Sequence, residues 1–135
     1  MLNLQKLELD PKFLSPITLA FIGDAIYEVF VRQSLLQKGD MPVGKLHRLS
    51  VEKVRASSQA KAFDTLVETL SESEVTVLKR GRNAHSSTTP KNCDVVSYRK
   101  ATGIESLFGY LYLNQEYERL NEIFAMVEHI LSKKD

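Results

Sequence analysis

Apolar residues recur at steps of three and four along almost the whole chain, and nowhere do they alternate as a half-buried strand requires. Ser15-Pro16 opens the first such segment, with proline suited to an initial helical turn. Leu19, Ile22, Ile26, Val29 and Phe30 then form a stripe that reaches about Leu36, where Gly39-Asp40-Met41-Pro42 breaks it. A second helical stretch carries Leu46, Leu49 and Val54, leaves room for an interruption, and continues through Phe63, Leu66, Val67 and Leu70. Ser71 and Glu74 have the spacing of a capping box, and Gly81 stands where a helix over Glu74 to Arg80 ends. Residues 82–93 lack any apolar period and read as the one long loop. Helix returns near Val95 and runs through Tyr98, Ala101, Glu105, Phe108 and Tyr112. A last amphipathic helix puts Tyr117, Leu120, Phe124, Val127 and Leu131 on one face. With no repeat and no linker, residues 1–135 are expected to form one all-α domain.

Such a length suits one domain with a proper core, and 43% hydrophobic with 26% charged residues is ordinary for a globular protein. No apolar run approaches membrane-spanning length, and the N-terminus lacks the layout of a secretory signal. The single cysteine, Cys93, rules out a disulfide framework and fits a reducing compartment. These features lead to the expectation of a soluble, cytoplasmic protein with no membrane partner.

Two stretches carry chemistry. Leu19-Ala20-Phe21-Ile22-Gly23-Asp24-Ala25-Ile26 and Thr102-Gly103-Ile104-Glu105-Ser106-Leu107-Phe108-Gly109 each set one carboxylate in a run that otherwise reads as buried helix. An ionised carboxylate away from water costs several kcal/mol unless something pairs with it. His47, His85 and His129 lie far apart and none adjoins Cys93, so no zinc-ligand spacing exists. Two carboxylates on separate helices instead suit a hard cation, magnesium above all, whose remaining positions are filled by water and substrate phosphate. Gly23 beside Asp24, and Gly109 one turn past Glu105, would let two helices come close enough to share that ion. Phosphodiester hydrolysis is the reaction such a site serves.

Phe21-Ile22-Gly23-Asp24-Ala25 resembles the signature helix of the ribonuclease III family, and Glu105-Ser106-Leu107-Phe108-Gly109 resembles its second acidic helix. Gly44-Lys45-Leu46-His47-Arg48-Leu49 and Leu78-Lys79-Arg80-Gly81-Arg82-Asn83 fall between them in the family's order. The likeness runs from about Leu19 to Leu113. It is closest to Mini-ribonuclease III, the small branch that has the catalytic domain and no double-stranded-RNA-binding domain. The resemblance implies a ribonuclease III-like helical fold, Asp24 and Glu105 as the central catalytic and metal-binding acids, and magnesium as cofactor. It further implies a homodimer whose two sites cut the two strands of double-stranded RNA. Precursor ribosomal RNA, at the 23S precursor ends, is the implied substrate, with a structured RNA or a ribosomal protein assisting binding. Larger members carry further acids one and two turns before the signature aspartate and three residues before the second glutamate. Here those places hold Ala20, Ile17 and Thr102, so the site is poor in acids.

Around that pair, Thr102 is a candidate hydrogen-bond partner for water in the site. Glu28, one turn after Asp24, reads first as a surface acid paired with Arg32 and second as a candidate outer carboxylate. The formal net charge is only +1, but Lys79, Arg80, Arg82, Lys91, Arg99 and Lys100 face a single acid, Asp94, between residues 79 and 100. Such a local basic patch suggests a polyanion footprint, with Lys79, Arg80, Arg82, Asn83 and Lys91 as the RNA-binding candidates. Arg99 or Lys100 could instead balance Glu105. Tyr110, Tyr112 and Tyr117 read as core or subunit-contact residues rather than base-stacking platforms. The rival functions are a non-catalytic RNA-binding or ribosome-associated module on the same fold, and a helical protein-interaction domain. The second leaves both the basic segment and the buried acids unexplained.

Overall fold

A computed structural model describes residues 7–84 and 94–133. After a 3-10 turn over Pro11–Phe13 come six helices: α1 (Pro16–Leu36), α2 (Val43–Val54), α3 (Ala56–Leu66), α4 (Glu72–Asn83), α5 (Val95–Leu113) and α6 (Tyr117–Ser132). No strand occurs among the described residues. None of their helices is long and apolar enough to cross a membrane.

The helix starts follow local chemistry. Ser15 caps α1 by accepting from the Thr18 N–H at 3.1 Å, with Pro16 at the first helical position. The capping box of α4 is complete: Ser71 Oγ accepts from the Glu74 N–H, and Glu74 Oε1 accepts from the Ser71 N–H at 2.9 Å. The interruption falls at Arg55, whose extended backbone separates α2 from α3.

Helix α5 is the centre, packed against α1, α3, α4 and α6. From Ala101 to Gly109 every residue except Glu105 is buried, as a helix enclosed on nearly all sides must be. Its Phe108 meets Tyr27 of α1 edge-to-face at 5.2 Å, and Phe30 and Phe124 complete an aromatic cluster. Ser106, fully buried, donates to the Pro16 carbonyl at 2.8 Å and so ties α5 to the start of α1.

Three expectations need correction. Gly81 does not end a helix; α4 continues to Asn83. A Cβ there would sit 2.5 Å from Ser106 Oγ and 2.8 Å from the Gly103 Cα, so this glycine serves a close helix crossing rather than a cap. The long loop consequently does not begin at residue 82; Arg82 and Asn83 are helical, and residues 85–93 lie outside the described residues. Nor does Val29 belong to the core stripe of α1. It is 53% exposed, while Leu19, Ile26, Tyr27, Val31 and Leu35 face inward.

Candidate active site

The site is built where α1 crosses α5. A Cβ on Gly23 would lie 1.6 Å from the Glu105 carbonyl oxygen, and one on Gly109 would lie 2.0 Å from the Leu19 carbonyl oxygen. Neither is physically possible, so two glycines, one from each helix, bring the backbones into direct contact. The residue after Gly23 is Asp24, and the residue whose backbone Gly23 touches is Glu105. Close approach of the two main chains thus makes neighbours of the two carboxylates.

Their electrostatics differ from those of ordinary surface acids. Burial, then the nearby Asp24 charge, pushes the Glu105 carboxyl up to about 8, while a hydrogen bond from Gln59 pulls the other way. Asp24 is exposed, which leaves the pair open to solvent on the α1 side. Beneath them lies the buried Tyr27 phenol, pushed up by burial first and then by Glu105 and Glu128. Its hydroxyl donates to the Lys53 carbonyl at 3.1 Å, and Lys53 pairs with Glu128 at 3.3 Å.

A divalent cation fits this donor set. Two carboxylates that repel each other in a partly desolvated place are what a cation between them would relieve, and hard oxygen donors suit magnesium. Among the described residues no group of three or more His, Cys, Asp or Glu side chains gathers to hold a metal. A cation held here would take Asp24 and Glu105 as its protein ligands and leave its other positions to water and substrate oxygens.

The other sequence candidates are distributed around the pair. The Glu28 carboxylate accepts from Arg32 Nε at 3.0 Å, one turn along α1. Buried Thr102 donates its hydroxyl to the Tyr98 carbonyl at 3.1 Å, inside its own helix. Lys79, Arg80 and Asn83 are exposed on the last turns of α4; Arg82 is half-buried, bonded to Asn83 Oδ1 at 3.0 Å, with its guanidinium over the Phe63 ring. Lys91, His85 and Cys93 lie outside the described residues. Lys100 does not balance Glu105: it pairs with Asp64 at 2.6 Å and also overlies Phe63.

Sequence reasoning missed Gln59. It lies on the first turns of α3, and its Nε2 donates to both the Val54 carbonyl (2.8 Å) and Glu105 Oε2 (3.3 Å). A signal was available, since Gln59, Phe63 and Leu66 stand at i, i+4 and i+7, which puts an amide on an apolar helix face.

The ribonuclease III domain model matches residues 17–116. The chain is 47% identical over 131 residues to a Mini-ribonuclease 3 of Brevibacillus brevis, covering 93% of this chain and 98% of that one. It is 43% identical over 120 residues to the Mini-ribonuclease 3 of a Thermoanaerobacter species, covering 89% and 84%. The X-ray structure of the Fusobacterium nucleatum protein FN1578 superposes with a TM-score of 0.79 at 31% identity, over 93% of this chain and 98% of that one. With a family match over most of the chain, and the apposed carboxylates inside it, the chain belongs to the ribonuclease III family, on its Mini-ribonuclease 3 branch, and is an endoribonuclease.

Proposed function

We propose that the chain is a magnesium-dependent endoribonuclease that cuts double-stranded RNA. The observation that carries this is the apposition of Asp24 and Glu105 across the Gly23 contact. When bound, magnesium would stabilise charge on the scissile phosphate and activate the attacking water. Asp24, open to solvent, and Glu105, half-buried beneath it, would hold the ion from one side and leave its other side to the RNA. Burial of Glu105 sharpens that arrangement, because a partly desolvated carboxylate gains more from a cation than an exposed one does.

Lys79, Arg80, Arg82 and Asn83 at the end of α4, with Lys91 beyond it, are proposed to hold duplex phosphates. Duplex RNA is recognised chiefly by shape, phosphates and 2′-hydroxyls, a mode suited to scattered cations and polar groups. Cations on the last turn also complement the α4 dipole, so their binding role needs its own test.

Dimerisation completes the reading. Ile17, Phe21, Ala25 and Val29 are all exposed and follow one another in four-residue steps along α1, with Phe21 82% exposed. An apolar ridge beside the catalytic aspartate suits a two-fold contact that would set two sites against opposite strands. Precursor ribosomal RNA, at the 23S precursor ends, is the substrate we favour, with a ribosomal protein assisting and the cytoplasm as the place of action.

Long duplex RNA incubated with the protein, with and without magnesium, tests the central reading. Cleavage should need the metal and vanish in Glu105→Gln, with the fold retained by circular dichroism. Activity of Glu105→Gln within a few-fold of wild type would remove Glu105 from the metal site. Sedimentation at micromolar concentration should report about twice the 15.3 kDa chain mass; a clean monomer that cuts both strands would remove the dimer.

A further inference from the structure

Gln59 is 2% exposed, yet only half of its amide is satisfied. Its Nε2 spends its two hydrogens on the Val54 carbonyl at 2.8 Å and Glu105 Oε2 at 3.3 Å, while Oε1 has no partner among the described residues. The orientation is not arbitrary. Turning the amide over would aim its oxygen at two acceptors, a carbonyl and a carboxylate, so both neighbours fix the nitrogen where it is. A buried acceptor without a partner costs about 1–3 kcal/mol. On the face shared with Phe63 and Leu66, a methionine would fill similar space, exchanging that unpaired acceptor for the Val54 carbonyl. For packing alone, glutamine holds no advantage at this position.

What the amide does is connect three helices at one point. Val54 is the last residue of α2, and its carbonyl sits at the α2–α3 break. Gln59 belongs to α3, and Glu105 to α5. A single NH2 group thus ties the Glu105 carboxylate to a backbone carbonyl held by the α2–α3 junction. It is also the only neutral side chain recorded donating to that carboxylate among the described residues.

We propose that Gln59 is a positioning residue for the endonuclease reaction: its Nε2, anchored by the Val54 carbonyl, fixes the Glu105 carboxylate in the rotamer that faces Asp24. Two ionised carboxylates side by side would repel each other, and the Gln59 donor opposes rotation of Glu105 away from Asp24. Because Gln59 acts through Glu105, its role depends on the metal-ligand assignment proposed above. Groups that orient metal-ligating carboxylates change affinity or activity by about 10–100-fold when removed.

The test compares Gln59→Met and Gln59→Asn with wild type. Methionine keeps the length and loses the donor, whereas asparagine keeps the amide one methylene too short to reach both acceptors. Three readouts are needed: thermal melting of the metal-free protein, Mn2+ binding to that protein by electron paramagnetic resonance, and single-turnover cleavage of duplex RNA across a magnesium titration. Both variants should bind Mn2+ about tenfold more weakly and cleave at least about tenfold more slowly. Gln59→Met exchanges one unpaired acceptor, Gln59 Oε1, for another, the Val54 carbonyl, so it should melt close to wild type. Mn2+ affinity and cleavage like wild type in either folded variant would overturn the role of Gln59. So would a loss of activity that only tracks a lowered melting temperature in both. If Gln59→Met failed to fold, Gln59→Asn with native circular dichroism would decide on the same two readouts. Glu105→Gln run alongside separates the cases: inactivity there with full activity in the Gln59 variants removes this proposal alone, whereas an active Glu105→Gln removes the metal site itself.

Discussion

Glu74 and Glu105 are both glutamates set into helices that pack on the core, and their surroundings drive them in opposite directions. Glu74 is buried but fully provided for. Arg119 of α6 forks onto it through Nε at 2.7 Å and Nη2 at 2.8 Å, and the Ser71 N–H adds a third bond. The Arg119 hydrogen bond, outweighing burial, holds its carboxyl below the usual range. Glu105 has a neighbouring carboxylate where Glu74 has a guanidinium, and burial first, then that carboxylate, pushes it up to about 8. One site uses a charge to clamp α4 on α6; the other sets a carboxyl against burial and a second carboxylate, with the Gln59 amide in support. The cation proposed for this site would relieve that deficit.

The largest effect expected from breaking that contrast is on turnover. Asp24→Asn and Glu105→Gln should each lower single-turnover cleavage by about 10³-fold or more, and the double variant should fall little further, as the proposed sharing of one ion requires. Multiplicative losses would show independent roles.

Next in size is the crossing that makes the pair. Gly23→Ala forces a Cβ onto the Glu105 carbonyl, so the helices must separate, at a cost of about 3 kcal/mol or more. A chemical denaturation midpoint unchanged within error would mean the helices part freely. Gly81→Ala also overpacks α5, but against the Ser106 side chain and Gly103, so its main effect should be on stability with metal binding spared.

Glu74→Gln should cost about 2 kcal/mol in urea melts at neutral pH, since it leaves Arg119 with only Glu122. Because the folded pKa of Glu74 is depressed, its stabilisation is complete above the unfolded value of about 4.3 and fades as pH falls through the lower folded value. The gap between wild type and Glu74→Gln should therefore close in acid. For Glu105 the sign reverses. A carboxyl raised in the fold is a penalty that grows as pH rises from about 4.3 towards 8, so metal-free Glu105→Gln should gain on wild type over that window. Parallel curves for the two variants would erase the distinction.

The smallest expected effect lies at the RNA surface. Arg80→Ala with Arg82→Ala should weaken duplex binding at moderate salt and flatten the salt dependence by up to about one unit of slope per lost phosphate contact. An unchanged slope would return these side chains to a purely structural role over α4 and Phe63.

The linear sequence carries its information through spacing, and what depends on spacing was legible in it. The helices, the Ser71–Glu74 box, the break before Pro42 and the two acids beside glycine all rest on residues within a few positions of one another. Misreadings arose where an outcome depends on what lies opposite. Gly81 has the local signature of a helix end, but Gly103 and Ser106 across the interface require a glycine within the last turn of α4. Val29 keeps helical step with Ile22 and Ile26, yet only the direction from which α5 and α6 approach decides that it faces outward. Lys100 is five residues from Glu105 but is taken by Asp64 of α3. The sequence by itself determined a helical chain with two carboxylates where helices can meet. Tertiary structure alone decided that they do meet, that Gln59 stands over one of them, and that Glu74 faces a guanidinium while Glu105 faces a carboxylate, because charge pairing and desolvation depend on distances between segments that periodicity cannot encode.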